Sequence, residues 1–153
     1  KMASAQAKIS KPGDDAQVDL LIQEAMAAKL NSYSPYSKFR VGCAVLAGSG
    51  KIYKGTNVEN ACYGLTVCAE RTAIFNAVSN GEKEIKALSV ATDVDDFKWS
   101  CGACCQVVLE FGEQLPVYSS IHDGSYQMKT AREMMPFAFS KADLDKPRVG
   151  LDA

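Results

Sequence analysis

The sequence predicts an α/β fold, a three-layer α/β/α domain built around a mixed sheet of about five strands. Three observations carry this. Hydrophobic spacing switches repeatedly between the period of a helix and that of a strand. Turn-forming groups (Gly48-Ser49-Gly50, Asn80-Gly81, Asp123-Gly124) fall between the periodic stretches. The resulting order, α-β-β-α-β-α-β-β, interleaves helices with strands, as a sheet covered on both faces requires.

Residues 15–31 read as a helix: Val18, Leu21, Ile22 and Ala25 recur at helical spacing, and Ser34-Pro35 closes the segment. Residues 39–47 are rich in apolar and small side chains. With residues 51–58, where Ile52, Lys54, Thr56 and Val58 alternate with Tyr53, Gly55 and Asn57, they form a hairpin across Gly48-Ser49-Gly50. Residues 66–79 place Ala69, Ala73 and Ala77 on one stripe and stop at Asn80-Gly81, as a helix does. A strand follows at 86–92 and a loop at 94–100. Cys104, Val107, Val108 and Phe111 then give the stripe of a helix ending near Gly112. Residues 115–121 and 126–129 are a last pair of strands joined by an Asp123-Gly124 turn. Residues 1–13 are expected to lack fixed structure, leaving 14–153 as one catalytic-sized domain.

The charge balance narrows the partners. Lys and Arg total 17 against 18 Asp and Glu. There is thus no broad positive field to hold a nucleic-acid backbone, and a small, weakly charged partner is favoured. No apolar stretch approaches the length needed to span a bilayer, and the opening KMASAQAKIS has no apolar signal core, so a cytoplasmic location is expected. In that setting six cysteines point to metal binding or buried thiols rather than a disulfide framework.

Two cysteine motifs carry the chemistry: Cys68-Ala69-Glu70 and Cys101-Gly102-Ala103-Cys104. Cys68 and Cys101 each fall at the predicted start of a helix, where unpaired N–H groups and the dipole favour a thiolate. Cys101 and Cys104 are three apart, which lets both sulfurs reach one ion. Three thiols can hold zinc and leave its fourth position open for water, while Glu70 supplies a carboxylate to move protons. Three thiolates around a divalent ion leave a net negative charge, and Arg71 is placed to offset it. Two other readings compete. A closed structural zinc site would need Cys105 as fourth ligand, although adjacent cysteines seldom point at one ion. A thioredoxin-type dithiol would leave Cys68 and Glu70 without a role.

With these residues in view, the chain resembles cytidine deaminases of the small-subunit, homotetrameric, zinc-dependent type. The likeness spans residues 18–144. It includes SPYSKFRVG (34–42), GTNVENACYG (55–64), CAERTAIFNAV (68–78) and CGACCQVVLEFG (101–112), in the family's order and spacing. The resemblance implies a deaminase fold and one zinc per subunit, held by Cys68, Cys101 and Cys104. It makes Glu70 the catalytic proton carrier, a chemistry for which zinc deaminases are the standing example. The implied substrates are free cytidine and deoxycytidine in pyrimidine salvage. Asn57 and Glu59 then correspond to the ribose-binding pair, Phe39 to the aromatic lining the base pocket, and Phe139 to one lent by a neighbouring subunit. Tyr36 and Tyr63 match positions near subunit contacts.

Two positions depart from the family pattern. Ser100 stands where proline usually precedes the CxxC, and is expected to N-cap the helix. Cys105 stands where arginine usually follows it, leaving Arg71 to balance the charge. Cys43 and Cys62 are expected to be buried thiols, and His122 a turn residue remote from the site.

Overall fold

In a computed structural model the chain is described over residues 8–146 and Gly150. Asp15 opens the first helix, its carboxylate accepting from the backbone N–H groups of Gln17 (2.9 Å) and Val18 (3.2 Å), donors that have no intrahelical partner. The helix, α1 (Ala16–Lys29), buries Val18, Leu21, Ile22, Ala25 and Ala28. Strands β1 (Val41–Ala47) and β2 (Ile52–Thr56) form the antiparallel hairpin, and α2 (Ala69–Ser79) crosses behind them. Strand β3 (Ile85–Thr92) pairs antiparallel with β1. Helix α3 (Gly102–Glu110) then carries the chain over to β4 (Pro116–Ser120), which pairs parallel with β3. Strand β5 (Tyr126–Thr130) closes the sheet antiparallel to β4.

The order β2-β1-β3-β4-β5, with one parallel pair, is the mixed five-stranded sheet expected from the sequence. Its two faces separate by the strand's alternation. Cys43, Val45, Leu88, Val90 and Val117 pack against Ala69, Ala73 and Ile74 of α2 and Val108 of α3. Ala44, Leu46, Ala87 and Ala91 meet Leu21 and Ala25 of α1 on the other side. Three layers result.

Two glycines seat the helices. A Cβ at Gly42 would lie 2.1 Å from Ala25 O and 2.3 Å from Lys29 N. One at Gly55 would lie 2.2 Å from Ala73 N and 2.5 Å from Ala69 O. Helix α1 therefore rests on the backbone of β1, and α2 on that of β2, from opposite faces. The second contact fixes the depth at which the first turn of α2 stands.

Several boundaries differ from expectation. The helix expected from residue 66 starts at Ala69, because Thr66 is extended and Val67 pairs with Val58 in a short bridge. The strand expected to reach residue 58 ends at Thr56 for the same reason. Cys62 is exposed rather than buried, standing ahead of a single 3-10 turn, Tyr63–Leu65, that the periodicity does not signal. Two four-residue helices, α4 (Ala131–Met134) and α5 (Lys141–Leu144), were also not foreseen. Residues 1–7 lie outside the described ones. Within 8–13, however, Ser10 exchanges backbone hydrogen bonds with Tyr126 (2.9 and 3.0 Å), so order begins before the boundary read at residue 13.

Candidate active site

Helices α2 and α3 share one face of the sheet and bring their N-termini together. Cys68 is the N-cap of α2 and Cys101 the N-cap of α3, and neither side chain caps its own helix, so both sulfurs are free for another partner. Cys101, rather than Ser100, thus occupies the N-cap. Cys104, fully buried one turn further on, completes a triad whose sulfurs lie within 4.8 Å of one another, with Cys68 Sγ 3.8 Å from Cys101 Sγ. Zinc with Zn–S bonds of about 2.3 Å in tetrahedral geometry needs sulfur separations of about 3.8 Å. The donor set fits that ion. Cys105 turns away, its thiol donating to the Ser100 carbonyl at 3.3 Å, so the set closes at three thiols.

The charges are arranged around these sulfurs. Hydrogen bonding from Cys104, then from Arg71 and Cys101, holds the Cys68 thiol down to about 5 despite its partial burial. The same bond to Cys68, with burial and the Glu70 charge, drives Cys104 upward. The Arg71 guanidinium donates to Cys68 Sγ at 3.6 Å and to Thr66 O at 3.4 Å. Burial pushes the Cys105 thiol up, keeping it neutral.

Glu70 stands in the first turn of α2, only 4% exposed. Burial pushes its carboxyl up, its own N–H and the Ser100 hydroxyl pull it partly back, and the Cys68 charge adds to the rise. Ser100 Oγ is buried beside it without a hydrogen bond of ordinary geometry.

A cavity of about 390 Å³ opens above this group. Its wall includes Phe39, Asn57, Glu59, Cys68, Glu70 and Cys101, so six of the sequence-predicted residues face one space. Asn57 and Glu59 get there from the segment after β2, flanking the Val58 bridge. Asn57 Oδ1 accepts from Val41 N (2.9 Å) and Ser32 Oγ (2.5 Å), while its Nδ2 donates to Phe39 O (2.8 Å). One amide hydrogen remains. The Glu59 carboxylate accepts from Tyr36 N (2.9 Å), Ser37 N (3.2 Å) and the Ser37 hydroxyl. The Ser37 bond is the main reason its carboxyl lies below the usual range.

Trp99 and Lys98, from the loop before α3, also line the cavity, as do Ser37 and Thr66. No periodicity marks them. Trp99 lies under Lys129 Nζ, 4.8 Å from the ring centroid, and Lys98 pairs with Asp96. Phe139 is not brought to this cavity by its own chain. It is 59% exposed, its carbonyl accepts from Gln106 Nε2 at 2.7 Å, and it borders a separate cleft beside Leu109 and Phe111. His122 is likewise remote, its Nδ1 2.8 Å from Asp95 Oδ1. Cys43 is buried in the core, which pushes its thiol well up.

Three thiols at two helix N-termini, a buried carboxylate beside them and a five-stranded mixed sheet beneath are the arrangement that zinc-dependent deaminases use. Residues 16–120 match the family described as "Cytidine and deoxycytidylate deaminase zinc-binding region", and the chain belongs to that family. It is 48% identical over 128 residues to a cytidine deaminase of Sporosarcina psychrophila, covering 83% of this chain and 94% of that protein. A probable cytidine deaminase of Dictyostelium discoideum is 43% identical over 129 residues, covering 84% and 87% respectively. The crystal structure of cytidine deaminase from Burkholderia pseudomallei superposes with a TM-score of 0.75 at 41% identity, covering 78% of this chain and 97% of that one.

Proposed function

We propose that this chain hydrolyses cytidine and deoxycytidine to uridine and deoxyuridine, releasing ammonia, with one zinc per subunit and a role in pyrimidine salvage. The observation that carries the reading is convergence: two thiols of the triad, with Cys104 buried beside them, a buried carboxylate and two sugar-competent polar groups meet at one cavity of nucleoside size. Cys68, Cys101 and Cys104 would hold the zinc, which when bound supplies a Lewis acid that makes water nucleophilic at neutral pH.

The chain's own groups do the rest. Glu70, from its buried position, takes a proton from the attacking water and delivers it to the ring nitrogen next to C4. The C–O bond forms at C4; Glu70 then takes the second proton from the new C4 hydroxyl and passes it to the amine, so that the C4–N bond breaks, ammonia leaves and a C4 carbonyl remains. The rise in its carboxyl suits a group that must both accept and return a proton. Phe39 contributes an apolar wall for the base. The remaining hydrogen of Asn57 and the open lone pairs of Glu59 bond sugar hydroxyls. Glu59 also disfavours a phosphorylated sugar, and Lys98, the cation at the cavity wall, is already paired with Asp96.

The subunit is completed in a homotetramer in this reading, in the cytoplasm, with residues 14–153 as the catalytic domain. Phe139, exposed and remote from its own cavity, reaches the site of a neighbour. Tyr36 and Tyr63, exposed and edge to face at 5.8 Å, offer the contact surface. No helix among the described residues is long and apolar enough to cross a membrane.

Glu70→Gln tests the assignment. It is expected to keep zinc and fold while losing ammonia release from cytidine by about 10²–10⁴-fold. Loss of zinc in that variant would make Glu70 a ligand instead, and undiminished turnover would remove it from the chemistry.

A further inference from the structure

The loop between α1 and β1 is stitched to the segment after β2 along its length. Tyr33 N donates to Asn57 O (3.1 Å) and Glu59 N to Tyr33 O (2.8 Å), while Asn57 ties down Val41 N and Phe39 O. Within this frame one hydroxyl makes two bonds in opposite senses. Ser37 Oγ donates to Glu59 Oε1 and accepts from Phe39 N at 3.0 Å. The turn that allows it is Lys38, whose φ of 57° lies in the left-handed region and folds Phe39 N back toward Ser37. A left-handed lysine carries a conformational cost that the surrounding bonds must offset.

We propose that Ser37 is a positioning residue that couples the two ends of the substrate pocket, setting the Glu59 carboxylate and the Phe39 backbone with a single hydroxyl. This rests on the reading that Glu59 contacts the sugar and Phe39 the base. Glu59 is one of the cavity's polar groups with lone pairs still open, and its direction depends on three donors, all from Tyr36 and Ser37. Phe39 is bracketed on both sides, by Ser37 Oγ at its N–H and Asn57 Nδ2 at its carbonyl. Removing the hydroxyl frees one oxygen of the carboxylate and one side of the bracket, and leaves the zinc triad and Glu70 untouched. Ground-state binding should suffer more than chemistry.

The experiment is a double-mutant cycle on the zinc-loaded enzyme with Ser37→Ala, Glu59→Ala and the pair, alongside Ser37→Thr. Ser37→Ala is expected to raise KM for cytidine about tenfold, the scale of one lost bond to a charged acceptor, with kcat within about twofold. Ser37→Thr, which keeps the hydroxyl, is expected to stay within about threefold of wild type. In the Glu59→Ala background the Ser37→Ala step should shrink to the smaller part that acts through Phe39. A readout independent of turnover is the carboxyl titration of Glu59 by carbon-detected NMR, which should move up toward the ordinary range in Ser37→Ala. If Glu59→Ala left KM unchanged, the sugar-contact reading would fail and the proposal with it. If Glu59→Ala raised KM while Ser37→Ala did nothing, or acted with its full effect in both backgrounds, the coupling alone would be overturned. A kcat loss without a KM change, or no Thr rescue, would also overturn it.

Discussion

Gly55→Ala tests whether the sheet sets the position of the site. The added Cβ would stand 2.2 Å from Ala73 N, 2.5 Å from Ala69 O and 2.7 Å from Ala73 Cα, all backbone atoms that no rotamer change can move aside. Ordinary contact needs about 3.4 Å or more, so α2 has to retreat by about 1 Å. A gap of that size forfeits about a quarter to a half of each dispersion contact along the face that buries Ala69, Ala73, Ile74 and Ala77. Overpacking of a core costs about 1–3 kcal/mol, and backbone against backbone belongs at the upper end. For a domain of this size about 3 kcal/mol corresponds to a fall in Tm of about 6–12 °C. The same retreat carries Cys68 and Glu70 with it, and about 1 Å is large against a Zn–S bond of about 2.3 Å. Thermal denaturation followed by circular dichroism, with zinc measured on the same sample, should show a lower Tm and less than one zinc per subunit. A variant within about 2 °C of wild type and fully loaded would refute the idea that Gly55 sets the depth of α2.

Asp93, at the end of β3, accepts from Arg40 (2.8 Å) and lies 3.2 Å from Lys29 of α1, and the Arg40 hydrogen bond is the main reason its carboxyl is held below the usual range. A carboxyl lowered by folding adds stability above its unfolded value and loses it as pH falls through the folded one. Asp93→Asn is therefore expected to cost no more than about 1 kcal/mol at pH 7, with the difference from wild type shrinking below about pH 4; a difference that grew on acidification would contradict this. Co-expressing Phe139→Ala with Glu70→Gln subunits should restore deamination that neither parent shows, because a mixed assembly contains sites with both residues intact. No recovery in verified mixed assemblies would put Phe139 outside the site of a neighbour and overturn the proposed sharing of sites between subunits.

The sheet and the two helices that carry the cysteines are legible in the sequence because each has a strong apolar period and clear stops. The triad is legible because thiols in that spacing have few other uses. The Thr130-x-x-Glu133 capping box was also present as a pattern, yet a four-residue helix offers too few positions for periodicity to show it. Cys62 followed a compositional rule that does not know which loop a residue occupies. Asn57 and Glu59 are legible as a pair only through the family resemblance. That Asn57 gives most of its hydrogen bonds to Phe39, Val41 and Ser32 depends on a loop conformation fixed by a left-handed Lys38, which no local pattern signals. Trp99 entered the cavity wall by the same route, from an irregular loop positioned by tertiary contacts.

The proposed chemistry stands on the thiol triad holding the metal that deamination needs. The direct measurement is to strip the purified protein of metal, return zinc in steps, and record bound zinc and ammonia release from cytidine on the same samples. Activity should rise in proportion to bound zinc from near zero and level off at one ion per subunit, with Cys104→Ala showing neither binding nor turnover. Deamination that persisted in the metal-free protein, or saturation at a different stoichiometry with Cys104→Ala still loaded, would contradict it.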